Sequence, residues 1–347
     1  MPSKLLVRGS INIDEFFEVE HIVRSGETIS SSGFSRRAGG KGANQSVACA
    51  RAGAQVDFAG WVGKDGTWLY ETLQGYGVGT GLMGTDEELP TGRAVIQLSL
   101  STADNSIVLL PGSNFSPSSP YMPFSSQYTH LLLQNEIPLS ETLSALHMAH
   151  EKGVKTVFNP SPILRRSELE SWPWGEVNWL IVNEREGEDL LAILSPASDA
   201  SEAAPKDAED LLARLRTTAL GSLEGIIITR GAKGVSASIR EVGSVSVEAG
   251  KVEGGVVDTT GAGDCFTGFF ATLLSSLTPS SSTTSSSSSP STLTPDFLRS
   301  LLHIANQAAA MCCEKNGAME SIPTLAEVKE RMRAGWPSGA WDGLLRA

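Results

Sequence analysis

Short apolar runs alternate along the chain with stretches in which apolar positions recur every three or four residues. The runs at 5–7, 55–62, 131–133, 156–158, 179–182 and 225–229 are of strand length, bounded by Gly, Pro, Asn or other polar residues. Continuous apolar runs of this kind suit strands covered on both faces. Helical spacing falls over 41–51, 65–76, 139–152, 208–215, 262–274 and 297–313. Strands and helices in this alternation predict βα units around a mainly parallel sheet.

Other stretches depart from that rhythm. Residues 16–37 read as hairpin material, Arg93–Leu100 alternates as a half-buried strand, and Ser106–Leu110 pairs with it through Asp104 and Asn105. Val235–Ile239 and Val245–Val247 predict a closing antiparallel pair. Residues 195–206, rich in Ala, Ser, Pro and Asp, read as a surface loop. Residues 275–295 are almost all Ser, Thr and Pro; they bury too little apolar surface to order themselves and predict a floppy loop inside one domain spanning 1–347.

The 347 residues are 40% hydrophobic and 19% charged, ordinary for a soluble globular protein. A net charge of −12 without a block of Lys or Arg argues against a nucleic-acid or membrane surface. A polyanionic ligand would be held in a local pocket, against the field of the whole chain. Cys49, Cys265, Cys312 and Cys313 sit in apolar helical patterns with no Cys-x-x-Cys, so reduced thiols are expected. No signal-like or membrane-length apolar run is present, and an intracellular location is expected.

The densest chemistry lies in Val257-Asp-Thr-Thr-Gly-Ala-Gly-Asp-Cys-Phe266. Gly261, Ala262 and Gly263 give a tight turn that opens a helix, where unpaired N–H groups and the helix dipole both favour an anion. Asp264 then falls in the first turn, beside that anion. A carboxylate there suits a base that takes the proton of an attacking hydroxyl; the plainer reading is a helix-capping Asp.

Three further patterns accompany it. Asn12 and Asp14 alternate with Ile11 and Ile13 past the first strand, so both polar side chains point one way. They suit a sugar diol, or alternatively a turn with an Asx hydrogen bond. Ala38-Gly-Gly-Lys-Gly-Ala-Asn-Gln45 opens a helix with glycines around Lys41, but the residue after the Lys is Gly42, so this is not a Walker A loop. Gly79-Thr-Gly-Leu-Met-Gly84 fits the dinucleotide spacing, yet an acidic loop and a strand follow instead of a helix, and that reading is rejected.

Taken in order, Gly9-x-Ile-Asn-x-Asp14, Gly39-Gly-Lys-Gly-Ala-Asn44 and Asp258-Thr-Thr-Gly-Ala-Gly-Asp264 resemble the ribokinase branch of the PfkB-type carbohydrate kinases over about residues 4–330. The resemblance implies a doubly wound α/β fold, a mainly parallel sheet flanked by helices, with a small β-sheet lid from 14–37 and 91–110. It implies ATP-dependent phosphorylation of D-ribose at O5. Relatives acting on fructose, 2-deoxyribose, a sugar acid or adenosine stand as alternatives, and a non-catalytic sensor as a remoter one.

By the same resemblance, Asp264 is the catalytic base and Gly261, Ala262 and Gly263 form the anion hole. Asn12, Asp14, Gly40, Lys41, Asn44 and Glu136 are sugar contacts. Asn183, Thr229, Gly231, Gly263 and Asn306 are nucleotide contacts, and Glu186 orders Mg²⁺ through water. Asp258, Thr260, Cys312, Lys315, Gly317 and Ser321 mark a monovalent-cation site for K⁺. A homodimer through the lid is implied, with the cytoplasm as location and the nucleus as a second one.

Overall fold

The structure is a computed structural model that describes residues 3–102, 104–117, 127–195, 203–276 and 293–333. The first strands are β1 (Lys4–Arg8), β2 (Asn12–Val19), β3 (Gly33–Gly39), β4 (Gln55–Ala59), β5 (Trp61–Gly63) and β6 (Gly84–Asp86). Next come β7 (Gly92–Ser99), β8 (Asn105–Leu110), β9 (Tyr128–Leu133) and β10 (Lys155–Phe158). The last are β11 (Trp179–Asn183), β12 (Gly225–Thr229), β13 (Val235–Ile239) and β14 (Gly243–Val247). The helices are α1 (Lys41–Arg51), α2 (Trp68–Gly75), α3 (Leu139–Glu151), α4 (Arg166–Glu170) and α5 (Glu184–Leu194). They continue with α6 (Ala208–Leu215), α7 (Ala262–Ser275), α8 (Pro295–Cys312) and α9 (Leu325–Arg333).

Eight strands form the main sheet in the order β14-β13-β12-β11-β10-β9-β1-β4. From β4 to β12 the pairings are parallel, and β13 and β14 close the edge antiparallel. Successive residues of a strand face opposite layers. Leu5, Val7, Leu132, Val157, Ile181 and Ile227 pack under α1, α7 and α8. Leu6, Leu131, Leu133, Phe158, Leu180 and Ile228 pack under α3, α5 and α6. This two-faced burial is why these runs lack alternation.

Chain order reverses between β1 and β9, which lie side by side while their successors go opposite ways. Such a switch point opens a crevice at the carboxyl ends of its strands, where ligands bind. The lid rises there directly. Its sheet runs β3-β2-β7-β8, with β2 parallel to β7 and the outer pairs antiparallel.

The expected elements are present with a few corrections. The apolar run 55–62 is two strands, because the chain bends at Gly60, where a Cβ would lie 2.5 Å from the Phe58 ring. The helix expected over 65–76 begins at Trp68, after a short 3₁₀ turn at Lys64–Gly66. Gly79 bridges to Asp57 and Gly84 enters β6, so the glycine pattern at 79–84 opens no helix. The loop expectation at 195–206 falls in part, and that at 275–295 for the most part, outside the described residues; at the latter's ends Ser275 still belongs to α7 and Pro295 already opens α8.

Candidate active site

The base of the site is the head of α7. Gly261 caps the helix with φ at 78°, and a Cβ there would lie 2.9 Å from Ala318, so glycine answers both the backbone conformation and the close approach. Ala262 N–H donates to Thr259 O at 3.3 Å, whereas Gly261 and Gly263 both border a cleft of about 300 Å³. Asp264 and Lys41 border the same cleft, with Asn159, Ser161, Asn183, Glu186, Thr229 and Thr267.

Asp264 is buried and held at both oxygens. Asn44 Nδ2 donates to Oδ2 and Gln45 Nε2 to Oδ1, each at 3.0 Å. Burial lifts its carboxyl above the usual range, against the pull of the Lys41 ammonium and the two amides. Lys41 is the first residue of α1, whose cap Gly40 has φ at 92°; a Cβ there would lie 2.8 Å from Ile11 Cα. Burial acts to lower its ammonium, but the carboxylates of Asp264, Glu136 and Glu186 outweigh that and raise it.

A second cluster, at the ends of β1, β2 and β9, adjoins Lys41 and Asp264; Asn12, Asp14, Gly40, Asn44 and Glu136 do not border that cleft. Glu136 Oε2 accepts from Ser10 Oγ at 2.5 Å and from Lys41 N–H at 3.1 Å. Asp14 lies opposite Arg37 across β2 and β3. Its carboxyl fills the space beside Gly39, where a Cβ would come within 2.0 Å of it. Burial first, and then the carboxylates of Glu136, Glu320 and Asp264, push Asp14 up to about 7. Asn12 is held by Asn114, whose Nδ2 donates to Asn12 Oδ1 at 2.7 Å while its own Oδ1 accepts from Ile11 N–H at 2.9 Å. The clamp takes the Asn12 carbonyl, so its NH₂ is the group left to donate, a few residues from the Asp14 carboxyl.

On the α5 side, Asn183 and Glu186 form a reciprocal cap. Asn183 Oδ1 accepts from Glu186 N–H at 2.8 Å and Glu186 Oε2 accepts from Asn183 N–H at 2.9 Å. Arg185, between them, is exposed. Thr229 ends β12 at the cleft, and the exposed Gly231 follows in a turn with φ at 53°. Asn306 sits farther off on α8, its Nδ2 donating to Glu248 O at 2.9 Å, and it does not border the cleft.

Beneath α7, two loops converge. Asp258 accepts from Thr260 N–H at 2.9 Å and from Gly317 N–H at 3.0 Å. Partial burial works against its charge, but these donors prevail and hold its carboxyl below the usual range. The Cys312 thiol lies 2.8 Å from Ser321 Oγ and 3.9 Å from Thr260 O. Lys315 N–H donates to Cys312 O at 3.4 Å in the turn that ends α8. Asp258, Thr260, Cys312, Gly317 and Ser321 are thus brought together. All four cysteines are free thiols.

Among the described residues no group of three or more His, Cys, Asp or Glu side chains is placed to hold a metal alone. Magnesium commonly binds through one or two carboxylates, its own waters and substrate phosphates. Glu186, on the cleft opposite Lys41, fits that mode. The carbonyl- and hydroxyl-bearing turn at Thr260 and Ser321 fits a monovalent cation.

Asn114, Gln134 and Asn159 belong to this site although no motif marks them, and Gln45, which ends the glycine-rich motif at 38–45, joins them with no role expected of it. Asn114 follows Gly112 in what reads as an ordinary turn, and the others contribute through contacts far apart in sequence.

The model of the pfkB family carbohydrate kinases matches residues 2–325. A curated ribokinase of Haemophilus influenzae is 34% identical over 337 residues, covering 95% of this chain and 98% of its own. The crystal structure of a ribokinase from Cryptococcus neoformans in complex with ADP superposes with a TM-score of 0.81 at 43% identity, over 95% of this chain and 99% of that one. An Arabidopsis thaliana ribokinase complexed with ribose and ATP gives 0.78 at 26% identity, over 96% and 99%.

Proposed function

The chain belongs to the pfkB family of carbohydrate kinases, and we propose that it transfers the γ-phosphoryl group of ATP to O5 of D-ribose, giving D-ribose 5-phosphate. The observation that carries this reading is the seating of Asp264. It is a buried carboxylate gripped by two amides at a helix head, with Gly261, Gly263 and Lys41 on the same cleft. The ribokinases this chain resembles, one of them solved with ribose and ATP, supply the substrate class.

In this mechanism Asn12, Asp14, Asn44 and Glu136 hold the sugar so that its primary hydroxyl meets Asp264. Gly40 lets the backbone come close to it. Asp264 takes the hydroxyl proton as the oxygen attacks phosphorus, a role that contributes about 10² to 10⁴-fold. Its raised carboxyl makes it the stronger base. Lys41 and the N–H groups of Gly261 and Gly263, with Ala262 shaping their turn, meet the charge on the transferred group. Asn183 and Thr229, on the cleft, would meet the nucleotide's phosphates, and Gly231 and Asn306, which lie off it, would meet the rest of the nucleotide. Glu186 would hold Mg²⁺ through water, and the ion would supply neutralisation of the phosphate charge. The residues at Asp258, Thr260, Cys312, Lys315, Gly317 and Ser321 would hold K⁺ and steady the turn that carries Gly261.

A compact sugar suits the lid better than a nucleoside. Arg37 already stacks on Phe16 at 5.0 Å, and Phe17 packs against Phe34 at 5.1 Å, so these rings are engaged with one another and not arrayed as a platform for a base. The lid's outer strand leaves Ile107, Val108, Leu109 and Leu110 exposed, and a homodimer through the lid would cover them. Free thiols suit a reducing compartment, so we place the protein in the cytoplasm, with the nucleus as a second location. No helix among the described residues is long and apolar enough to cross a membrane.

A coupled assay of ADP release over D-ribose, D-fructose, 2-deoxyribose and adenosine tests the substrate, with the phosphorylated product identified. D-Ribose should give the highest kcat/KM; a preference for adenosine or fructose would overturn this assignment.

A further inference from the structure

Two glutamines stand behind Asp264, away from the cleft. Gln45 is in α1 and Gln134 is the first residue past β9, and both are fully buried. Gln45 Nε2 lies 3.0 Å from Asp264 Oδ1 and 3.4 Å from Asn159 Oδ1, and Gln134 Nε2 lies 2.7 Å from Gln45 Oε1. Asn159 is tied in turn, its Nδ2 donating to Ile181 O at 2.8 Å. Chemistry permits one orientation of these amides. An ionised carboxylate only accepts, so Gln45 must turn its NH₂ to Asp264; its carbonyl then faces Gln134, which must donate. Gly9 leaves the room that Gln134 occupies, for a Cβ there would lie 2.0 Å from its Oε1.

We infer that Gln45, locked in orientation by Gln134, is a positioning residue for the phosphoryl-transfer base, fixing the direction of the Asp264 carboxylate and keeping it ionised once the sugar has displaced water. This rests on the reading of Asp264 as that base. The other titratable groups that act on Asp264, or feel it, are Lys41 on α1, Glu136 past β9, Asp14 on β2, Cys265 on α7 itself and Cys312 on α8. Burial acts most strongly and lifts the carboxyl; Lys41 and then the amides of Asn44 and Gln45 draw it back, and Glu136 adds to the rise. Lys41 borders the cleft beside Asp264, whereas Gln45 is fully buried and does not border it.

The test is carried out on the full chain labelled with ¹³C in the aspartate carboxyls, the Asp264 signal being the one lost in Asp264→Asn. Gln45→Met keeps the length of the side chain and removes the donor. It should raise the Asp264 titration midpoint by about one pH unit, a tenfold change in proton equilibrium. The acid limb of the kcat profile should move with it, while the sugar KM stays within about threefold. Gln134→Met, which touches no substrate, should shift both in the same direction by less. An unmoved midpoint in Gln45→Met overturns the inference, and so does a moved midpoint with an unmoved kcat limb. If Gln45→Met does not fold, the same two readouts in Gln134→Met decide. Asp264→Asn with near-normal turnover removes the base reading and this inference together; an inactive Asp264→Asn with an unmoved midpoint in Gln45→Met removes this inference alone.

Discussion

Asn44 and Asp264 are 220 residues apart in sequence, yet Asn44 Nδ2 donates to Asp264 Oδ2 at 3.0 Å. The contact joins the heads of α1 and α7, so the loop that shapes the sugar side also grips the proposed base. Among the described residues Asn44 Oδ1 is buried with no hydrogen-bond partner, which leaves an acceptor for a sugar hydroxyl. Asn44→Ala should therefore raise the sugar KM and lower kcat, each by about tenfold or more, since a buried hydrogen bond to a charged group is lost. Steady-state kinetics over a range of sugar concentrations checks this, and a change in KM alone would mean that the bond to Asp264 has no part in turnover.

Asn114 acts one step back from Asn12, a proposed sugar contact. It clamps Asn12 Oδ1 at 2.7 Å, and Gly92 leaves the room, because a Cβ there would lie 2.2 Å from Asn114 Nδ2. In Asn114→Leu the Asn12 amide is free to turn its carbonyl toward the ligand. The sugar KM should rise about tenfold, corresponding to roughly 1–3 kcal/mol for an unpaired buried polar group, with a smaller effect on kcat. Unchanged KM for D-ribose would show that Asn12 does not depend on this clamp.

The crowding of carboxylates around Asp14 has a consequence for stability. Below its ordinary value of 3.8 Asp14 is protonated whether the chain is folded or not; above that value the unfolded chain releases the proton while the folded chain holds it up to about 7. Stability of the ligand-free protein therefore falls across that window, and the loss is complete above it. Asp14→Asn removes the cost. Its thermal midpoint should exceed that of the wild type at neutral to alkaline pH, with the difference closing toward the ordinary value. A difference that stays constant with pH would contradict the placement of Asp14 among these charges.

The lid edge yields a prediction about assembly. Val108 is 63% exposed in the middle of β8 and Leu109 beside it 59%, an unusual cost for an edge strand facing water. Light scattering should find the wild type dimeric and Val108→Glu monomeric. A monomeric wild type, or a variant that stays dimeric, would remove the lid-to-lid arrangement.

Much of this was legible from pattern. The runs that became β9 to β12 were readable because burial on both faces leaves them apolar throughout, and the three glycine-bearing motifs mark sharp turns that few residues tolerate. What escaped notice lacks a local signature. The bend at Gly60 does not interrupt the apolar run, α4 is five residues long and shows no period, and α9 was not foreseen in a mostly charged stretch. Gln45 was visible only as the last letter of a motif. Its bonds to Asp264 and Gln134 span 219 and 89 residues, and periodicity carries no information about contacts of that range.

The most direct measurement is rapid-quench phosphoryl transfer from ATP to D-ribose by the wild type and Asp264→Asn, with sugar affinity of both measured by calorimetry. The wild type should form D-ribose 5-phosphate, and the variant should transfer about 10² to 10⁴-fold more slowly while binding the sugar nearly as well. Transfer by Asp264→Asn at close to the wild-type rate, with both substrates saturating, would contradict the account.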